Sequence, residues 1–283
     1  MSDSKLGIAL LGAGGKMGCR LTDNLRKTDY EVRYVEIGER GIAALADRGI
    51  SPVPAKEAIT ESDIVVLGLP DNRIGSVTAE LAPHFRRGAM LIALDIAAPL
   101  AGVLPKREDL TYFITHPCHP SIFGNEDDPE HRRDFFGFRA PQNIVCCLMQ
   151  GPEEAYALGE QVARALYAPV LRSHCCTPVQ MAILEPVLSE TVLGTCLTVI
   201  REAMDEAVQR GVPAEAARDF LLGHIKVELG IVFQEFEGAT FSDGALQAIE
   251  AAKTRLFRSD WKRVFDSDSM MESIRQITGT AAG

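Results

Sequence analysis

The chain has 283 residues, which suffices for two domains or one large one. Hydrophobic residues make up 46% of it and charged residues 24%, so an ordinary globular core can be buried. The net charge of −10 and the lack of a Lys- or Arg-rich run argue against a nucleic-acid partner. Seven cysteines without CxxC spacing indicate reduced thiols, and no segment resembles a signal peptide. We therefore expect a cytoplasmic protein without a membrane partner.

The first 176 residues alternate short apolar runs with helical patterns, an order typical of a parallel α/β sheet. The predicted strands cover residues 6–11, 31–36, 63–69, 89–96, 112–115, 143–148 and 170–173, and the predicted helices cover 18–27, 40–48, 74–82 and 153–167. An irregular stretch at 118–142 is rich in Pro, Asp and Gly. A loop of that length inside a domain is usually functional or mobile.

The remaining residues carry only helical patterns. Thr177 is a predicted N-cap with Pro178 after it, and the helix continues to Arg210, with an expected kink at Pro186. Further helices are predicted at 213–236 and 243–257, followed by a short helix and a frayed tail. We therefore predict a doubly wound Rossmann domain (1–176) and an all-helical domain (177–283) that completes the active site.

A glycine-rich turn, GAGGKMG at residues 12–18, follows the first strand and opens a helix, which is the arrangement of a dinucleotide site. Gly12, Gly15 and Gly18 form a GxxGxxG variant. Glu36 closes the second strand, where a carboxylate accepts hydrogen bonds from ribose hydroxyls and repels a 2′-phosphate. NAD is therefore favoured over NADP. The ends of later strands line the same crevice. The predicted cofactor-binding residues are Gly12, Ala13, Gly14, Gly15, Lys16, Met17, Gly18, Glu36, Leu69, Pro70, Asn72 and Asp95.

Histidines provide the candidate chemistry. His116 ends a predicted strand, and His119 follows in the sequence THPCHP. A histidine at this edge of the sheet can accept a hydroxyl proton as hydride leaves, or it can bind a metal ion. The alternative for each is a packed or capping histidine.

Acidic residues of the helical half are the other candidates. Glu185 and Glu190 lie in an apolar stretch and would point about 140° apart on an ideal α-helix. We favour Glu190 as a catalytic group and, together with His116, as a ligand of one divalent metal ion. His224 and Glu228, four residues apart, share a helix face, and His224 is a further catalytic candidate.

Several of these segments together resemble the D-apionate oxidoisomerases, in the wider 6-phosphogluconate-dehydrogenase-like group. The segments are GAGGKMG, DIVVLGLPDN, ALDIAAP, THPCHPSIFG and DFLLGHIKVELGIVF. The resemblance implies NAD-dependent oxidation of the 2-hydroxyl of D-apionate, followed by a hydroxymethyl shift to 3-oxo-isoapionate. It also implies that His116 and Glu190 are metal ligands or acid–base groups. It further implies a homodimer formed through the helical domain, in which His224 serves the neighbouring subunit's site.

Two alternatives stay open at this point. One is an NAD-dependent dehydrogenase acting on a simple hydroxy acid or a prephenate-like acid without rearrangement. The other is a protein that binds NAD as a sensor without turning it over. The histidines at the strand end argue against the sensor, since binding alone needs no proton acceptor.

Overall fold

The computed structural model describes residues 5–124 and 127–280, so part of the predicted frayed tail lies outside the described residues. Seven strands form one sheet in the order β2-β1-β3-β4-β5-β6-β7. The order reverses beside β1, and the crevice at such a switch point is where doubly wound sheets bind ligands. The strands are β1 (Gly7–Leu11), β2 (Glu31–Val35), β3 (Ile64–Leu67), β4 (Met90–Ala93), β5 (Thr111–Pro117), β6 (Gln142–Gln150) and β7 (Val170–Cys175).

Helices cover both faces of this sheet, which explains why β1, β3 and β4 are apolar along their whole length. Alternate residues of β1, β3 and β4 enter two separate apolar clusters. Leu10 belongs to one cluster and Leu11 to the other. The flanking helices are α1 (Lys16–Leu25), α2 (Glu39–Ala46), α3 (Ala55–Thr60), α4 (Asp71–Leu81), α5 (Ala97–Leu100) and α6 (Ala155–Leu166).

One strand runs against the predicted direction. The neighbours from β2 to β5 pair in parallel, but β5 and β6 are antiparallel. The connection between them carries only a 3₁₀ turn (His131–Arg133) among its described residues, so the chain re-enters the sheet at the edge where β5 ended. The predicted fold class, a Rossmann-like sheet followed by a helical domain, is confirmed.

A long helical segment begins at Thr177, as predicted. The Thr177 hydroxyl accepts the Gln180 N–H at 3.3 Å, and the Gln180 side chain accepts the Thr177 N–H at 2.9 Å. The two bonds form a capping box. After α7 (Pro178–Ala182) the helix is of the π type over Ile183–Gly194, and α8 (Thr195–Gln209) continues it. The predicted single kink at Pro186 is therefore replaced by a π-helical stretch, a form frequently found at functional sites.

The helical half continues with α9 (Ala214–Val232), α10 (Asp243–Leu256) and α11 (Ser267–Thr278). The chain divides into two compact units. The first runs to Glu185 and includes the residues from Met271 onward, and the second is Pro186–Met270. This division lies nine residues after the boundary that the sequence pattern indicates at 176/177, which stays a prediction.

The segment Pro178–Gln209 is long and apolar enough to cross a membrane by length and composition. Only 11% of its most apolar window is buried. A single helix of this kind is weak evidence for a membrane span, since helices of soluble proteins can pass the same test. This helix leaves a large amount of apolar surface uncovered.

Candidate active site

The glycine turn lies between β1 and α1. At three of its glycines the neighbouring backbone leaves no room for a Cβ atom. A Cβ on Gly12 would lie 2.2 Å from the Gly68 carbonyl oxygen, and Gly12 also has a φ of 74°. A Cβ on Gly14 would lie 2.1 Å from the Gly41 oxygen, and one on Gly18 would lie 2.0 Å from the Gly12 oxygen. A Cβ on Gly15 would meet its nearest atom at 3.4 Å, an ordinary contact. The tight positions are thus 12, 14 and 18, where the sequence interpretation had 12, 15 and 18.

Backbone hydrogen bonds fix the position of the turn before α1. The Gly12 and Ala13 N–H groups donate to the Val35 carbonyl at 2.9 and 3.0 Å, which fixes the turn to the end of β2. Lys16 and Met17 follow as the first helical residues, and first-turn N–H groups have no partner within a helix. Such a helix start binds phosphate through these donors and the helix dipole.

Glu36 follows β2 directly and lies against the glycine turn. Its carboxylate accepts the Gly14 N–H at 3.0 Å and those of Ile37 and Gly38 at 2.8 and 2.9 Å. These bonds hold the carboxylate beside the turn, in the place predicted for a ribose ligand. Within the described part of the chain one acceptor site remains, on the oxygen that bonds Gly14, and it can still accept from a hydroxyl group.

The next strand end supplies the predicted nicotinamide side. Leu69 is half-buried, and one of its methyl groups lies 3.3 Å from the position of a Cβ on Gly12. Pro70 caps α4, and Asn72 is exposed in its first turn. All three therefore lie at the carboxyl edge of β3, as predicted, and their contacts with a cofactor stay predictions.

His116 lies near the end of β5, beside the end of β4. Its Nδ1 is 2.9 Å from the Leu94 carbonyl oxygen and 3.7 Å from an Asp95 carboxylate oxygen. A carbonyl oxygen only accepts, so the bond to Leu94 places a proton on Nδ1 and leaves the lone pair on Nε2. That lone pair can take a hydroxyl proton or bind a cation.

Three side chains of the first unit form a candidate metal group. Asp95, His116 and Glu185 each offer one ligand atom, and the three atoms lie within 4.8 Å of one another. The glutamate of this group is Glu185, the neighbour of Pro186, whereas the sequence analysis favoured Glu190. Asp95, predicted as a cofactor contact, lies in this group as well.

The π-helix changes the relation of the two glutamates. Its hydrogen bonds join residues five apart, so Glu185 and Glu190 lie about one turn apart on similar sides of the helix. The expected separation of about 140° assumed α-helical geometry and is wrong here. Glu190 itself is exposed, and its predicted catalytic and metal-binding role stays a prediction.

His119 is half-buried in the loop after β5. Its φ of 59° lies in the left-handed region that disfavours side chains, so the surrounding loop must hold it there. The His119 and His116 ring centroids are 6.3 Å apart, edge to face. Burial lowers the pKa of His119, and the charges of His116 and Arg20 lower it further, against opposing effects of the Phe136 carbonyl and Asp134. The lowered pKa favours the neutral imidazole of His119, which can accept a proton.

His224 lies on α9 in the second unit. It is exposed, its ring stacks on Phe220 at a centroid distance of 3.9 Å, and its Nδ1 lies 2.8 Å from the Phe220 carbonyl oxygen. The hydrogen bond therefore goes to the residue four positions before it, rather than to Glu228. Its predicted catalytic role stays a prediction.

Comparisons with known proteins agree with this geometry. Residues 7–99 match the family described as "NADP oxidoreductase coenzyme F420-dependent". Residues 124–278 match that described as "Phosphogluconate dehydrogenase (decarboxylating) C-term". D-apionate oxidoisomerase of Cupriavidus necator is 56% identical over 96% of this chain and 99% of its own length. The chain belongs to the D-apionate oxidoisomerase family.

Other members of the family support the same assignment. D-apionate oxidoisomerase of Rhizobium rhizogenes is 52% identical over 96% of this chain and 99% of its own length. A crystal structure from Cupriavidus necator, described as a semialdehyde dehydrogenase NAD-binding protein in complex with calcium and NAD, superposes with a TM-score of 0.94. It is 55% identical and covers 97% of this chain and 100% of its own. The chain is accordingly an NAD-dependent oxidoreductase, and the non-catalytic NAD sensor is wrong.

Sequence reasoning did not predict Asp95 as a candidate metal ligand and ranked Glu185 second. A signal for both was present in the chain. Asp95 follows a buried apolar strand, and Glu185 interrupts an apolar helical stretch, so each acid carries a desolvation cost that a ligand could offset. The π-helix, which changes where Glu185 points, left no comparable signal.

Proposed function

We propose that this oxidoreductase oxidises the 2-hydroxyl of D-apionate with NAD and then shifts a hydroxymethyl group to give 3-oxo-isoapionate, with one divalent metal ion. The observation that supports this best is the group formed by Asp95, His116 and Glu185 at the carboxyl edge of the sheet, where a doubly wound fold holds its ligand. The choice of D-apionate as the substrate is based on the relatives that are named D-apionate oxidoisomerase.

The residues of this group fit a divalent cation. Two carboxylates and one imidazole are ligands that Mg²⁺, Mn²⁺, Ca²⁺ or Zn²⁺ accept, and three protein ligands leave positions for substrate oxygens. The Leu94 carbonyl orients His116 through Nδ1, which is the usual outer support of a metal-binding histidine. When bound, such an ion supplies a Lewis acid that stabilises negative charge on two neighbouring substrate oxygens.

The reaction balances with NAD as the only oxidant. Hydride leaves C2 for the nicotinamide, and the C2 hydroxyl gives up its proton, which leaves a ketone. The C3 hydroxyl then loses its proton, and the hydroxymethyl group moves with its bonding pair from C3 to C2. C3 becomes the ketone while the C2 oxygen takes up a proton. The net products are one NADH, one proton and the rearranged acid.

We assign the two histidines different roles. His119 lies beside His116, and burial lowers its pKa, so its neutral imidazole can accept the C2 hydroxyl proton and return it to the C2 oxygen. His116 is one of the three residues that would hold the metal ion, and it would thereby help to orient the substrate oxygens. The glycine turn and α1 hold the pyrophosphate, and Glu36 receives a ribose hydroxyl, which favours NAD.

The test is NADH formation from NAD and D-apionate, with and without a chelator, and identification of the product by NMR. We expect chelator-sensitive NADH and a rearranged branched keto acid. NADH with an unrearranged ketone would favour the simple hydroxy-acid dehydrogenase. Glu185→Gln should lose turnover while NAD affinity stays unchanged, and Glu190→Gln serves as its matched comparison on the same helix.

We further propose a cytoplasmic homodimer formed through the second unit. Within that unit α8 and α10 contain no buried residue, and Leu193, Leu197 and Phe220 are each at least half exposed. A cavity of about 570 Å³ lies between α8 and α10, and its surface is mostly apolar, with contributions from Leu256 and Trp261. So much uncovered apolar surface marks an interaction site, and two-fold homodimers are the commonest soluble assemblies.

Sedimentation velocity tests the dimer without detergent. We expect a dimer for the native chain and a monomer for Leu197→Glu, because a charge would be buried without a partner. A matched change on the polar side of the same helix, Glu202→Gln, should leave the dimer intact. A native monomer, or extraction only with detergent, would contradict the proposal.

A further inference from the structure

The loop before β6 is folded around one carboxylate. Asp134 accepts backbone N–H groups from Gly137 at 2.9 Å, Arg139 at 2.6 Å and Ala140 at 2.9 Å. These bonds close residues 134–140 into a compact turn, here called the aromatic loop because it carries three phenylalanines. Gly137 has a φ of 73° and lies against the Gln142 side chain, so the turn has little freedom to rearrange.

Two cations of α1 bind this loop. Lys16 and Arg20 are one helical turn apart and therefore share a face. The Lys16 ammonium lies 4.1 Å from the Phe136 ring centroid, a cation–π contact. Arg20 donates from Nη2 to the Gly137 carbonyl at 2.7 Å, with its guanidinium carbon 5.7 Å from the Phe138 ring centroid. The helix that opens the nucleotide turn thus holds the aromatic loop at successive residues.

Arg20 makes this attachment firm. It is 2% exposed, and among the described residues its Nε and Nη1 have no hydrogen-bond partner. No carboxylate of the described chain forms an ion pair with it, and burial lowers its pKa. Burying a guanidinium away from water costs free energy. The hydrogen bond to the Gly137 carbonyl and the contact with the Tyr167 ring, 5.4 Å away, offset part of this cost, and losing either would leave the charge less compensated.

The aromatic loop in turn contacts His119. The His119 Nδ1 lies 3.4 Å from the Phe136 carbonyl oxygen, and the two rings meet edge to face with centroids 5.9 Å apart. A proton on Nδ1 leaves the Nε2 lone pair as the acceptor. Phe136 is therefore the residue that touches both the nucleotide turn, through Lys16, and the histidine beside His116.

We propose that Phe136 is a positioning residue for His119. Its ring packs on the His119 ring and its backbone carbonyl accepts from Nδ1, while Lys16 holds the Phe136 ring in place. The proposal rests on the function given above, in which His119 moves the substrate proton. Through this contact the histidine is aligned with the helix that binds the pyrophosphate. The expected consequence is a defect in kcat, with little change in the affinity for NAD.

The experiment compares Phe136→Leu, which keeps apolar bulk, with Phe136→Tyr, which keeps an aromatic face. We expect Phe136→Leu to lower kcat by roughly threefold to tenfold, with the Kd for NAD within about twofold of the native value. Phe136→Tyr should restore kcat to within about twofold. Phe135→Leu is the matched control, since that neighbouring ring is 80% exposed, and its kcat should be unchanged.

Nitrogen NMR of the histidine rings gives a readout independent of turnover, with the His119 signals identified from His119→Ala. The native protein should show the Nδ1–H tautomer at His119. Leucine keeps the backbone carbonyl that Nδ1 bonds to but loses the ring contacts with Lys16 and His119, so this carbonyl should move away from Nδ1 in Phe136→Leu and the tautomer should shift toward Nε2–H. An unchanged tautomer and an unchanged kcat in Phe136→Leu would overturn the proposal.

A double-mutant cycle tests the Lys16 link at saturating NAD. Lys16→Met combined with Phe136→Leu should lower kcat no more than the larger single change, because both remove the same contact. Fully additive losses would show that Lys16 and Phe136 act separately. Absence of any D-apionate turnover by the native protein would refute the proposed function, whereas the tautomer measurement would still decide the positioning of His119.

Discussion

The two compact units differ in where they keep their apolar side chains. In the first unit the strands β1, β3 and β4 are buried at every residue. In the second unit, α8 and α10 bury none, although both carry leucines. The first unit therefore has its own core, whereas these helices of the second unit leave their apolar side chains uncovered. The same residue type thus forms a packed core in one region and lies exposed in the other, where we propose that it mediates association.

The largest expected effect tests catalysis at the edge of the well-packed unit. His116→Ala should lower kcat about 10²- to 10⁴-fold, because the site loses a metal ligand or proton acceptor, while the Kd for NAD stays unchanged. The measurement is steady-state NADH formation together with calorimetric titration of NAD. His84→Ala, in the 3₁₀ turn leading into the opposite end of β4, should retain full activity. Full activity of His116→Ala would remove it from the site.

Two identical substitutions sharpen the contrast between the units. Leu10→Ala should cost about 2–5 kcal/mol of unfolding free energy, because Leu10 is fully buried. Leu197→Ala, at a side chain that is 50% exposed, should cost the isolated chain less than about 1 kcal/mol and instead weaken self-association. Urea unfolding and sedimentation equilibrium measure the two effects. Equal losses of unfolding free energy without any change in association would break the comparison.

A smaller effect distinguishes the glycines of the nucleotide turn. Gly14→Ala should lower the affinity for NAD by roughly tenfold or more, because its Cβ would lie 2.1 Å from the backbone of Gly41 and displace the turn. Gly15→Ala should stay within about twofold, since its Cβ meets only an ordinary contact. Fluorescence titration with NADH compares them. The reverse order would favour the GxxGxxG interpretation.

The smallest expected effect concerns pH and the aromatic loop. Burial alone would raise the pKa of Asp134, but the N–H groups of the aromatic loop outweigh it and hold the pKa below its usual 3.8. A carboxyl group with a lowered folded pKa stabilises the protein above its ordinary pKa, and this stabilisation is lost as pH falls through the folded value. Asp134→Asn should therefore lower Tm at neutral pH, and the difference from the native protein should shrink below about pH 4. A constant difference would contradict this.

Much of the first unit could be predicted because its signals are local. The apolar runs, the glycine turn and the acid after β2 each depend on residues close in sequence, and all were placed correctly. The short helix α3 and the antiparallel pairing of β5 with β6 were not predicted. Their formation depends on packing and on the path of the loop, which carry no periodic pattern.

The sequence by itself determined the fold class, the nucleotide turn and the family, because hydrophobic period and motif spacing are written in consecutive residues. Only the tertiary structure decided that Asp95 and Glu185 join His116, because these residues lie far apart in the chain and meet at the sheet edge. It also decided that Gly14 rather than Gly15 is tightly packed, since the limiting atom belongs to Gly41. In both cases the deciding contact is between distant segments, and a pattern of neighbouring residues does not contain it.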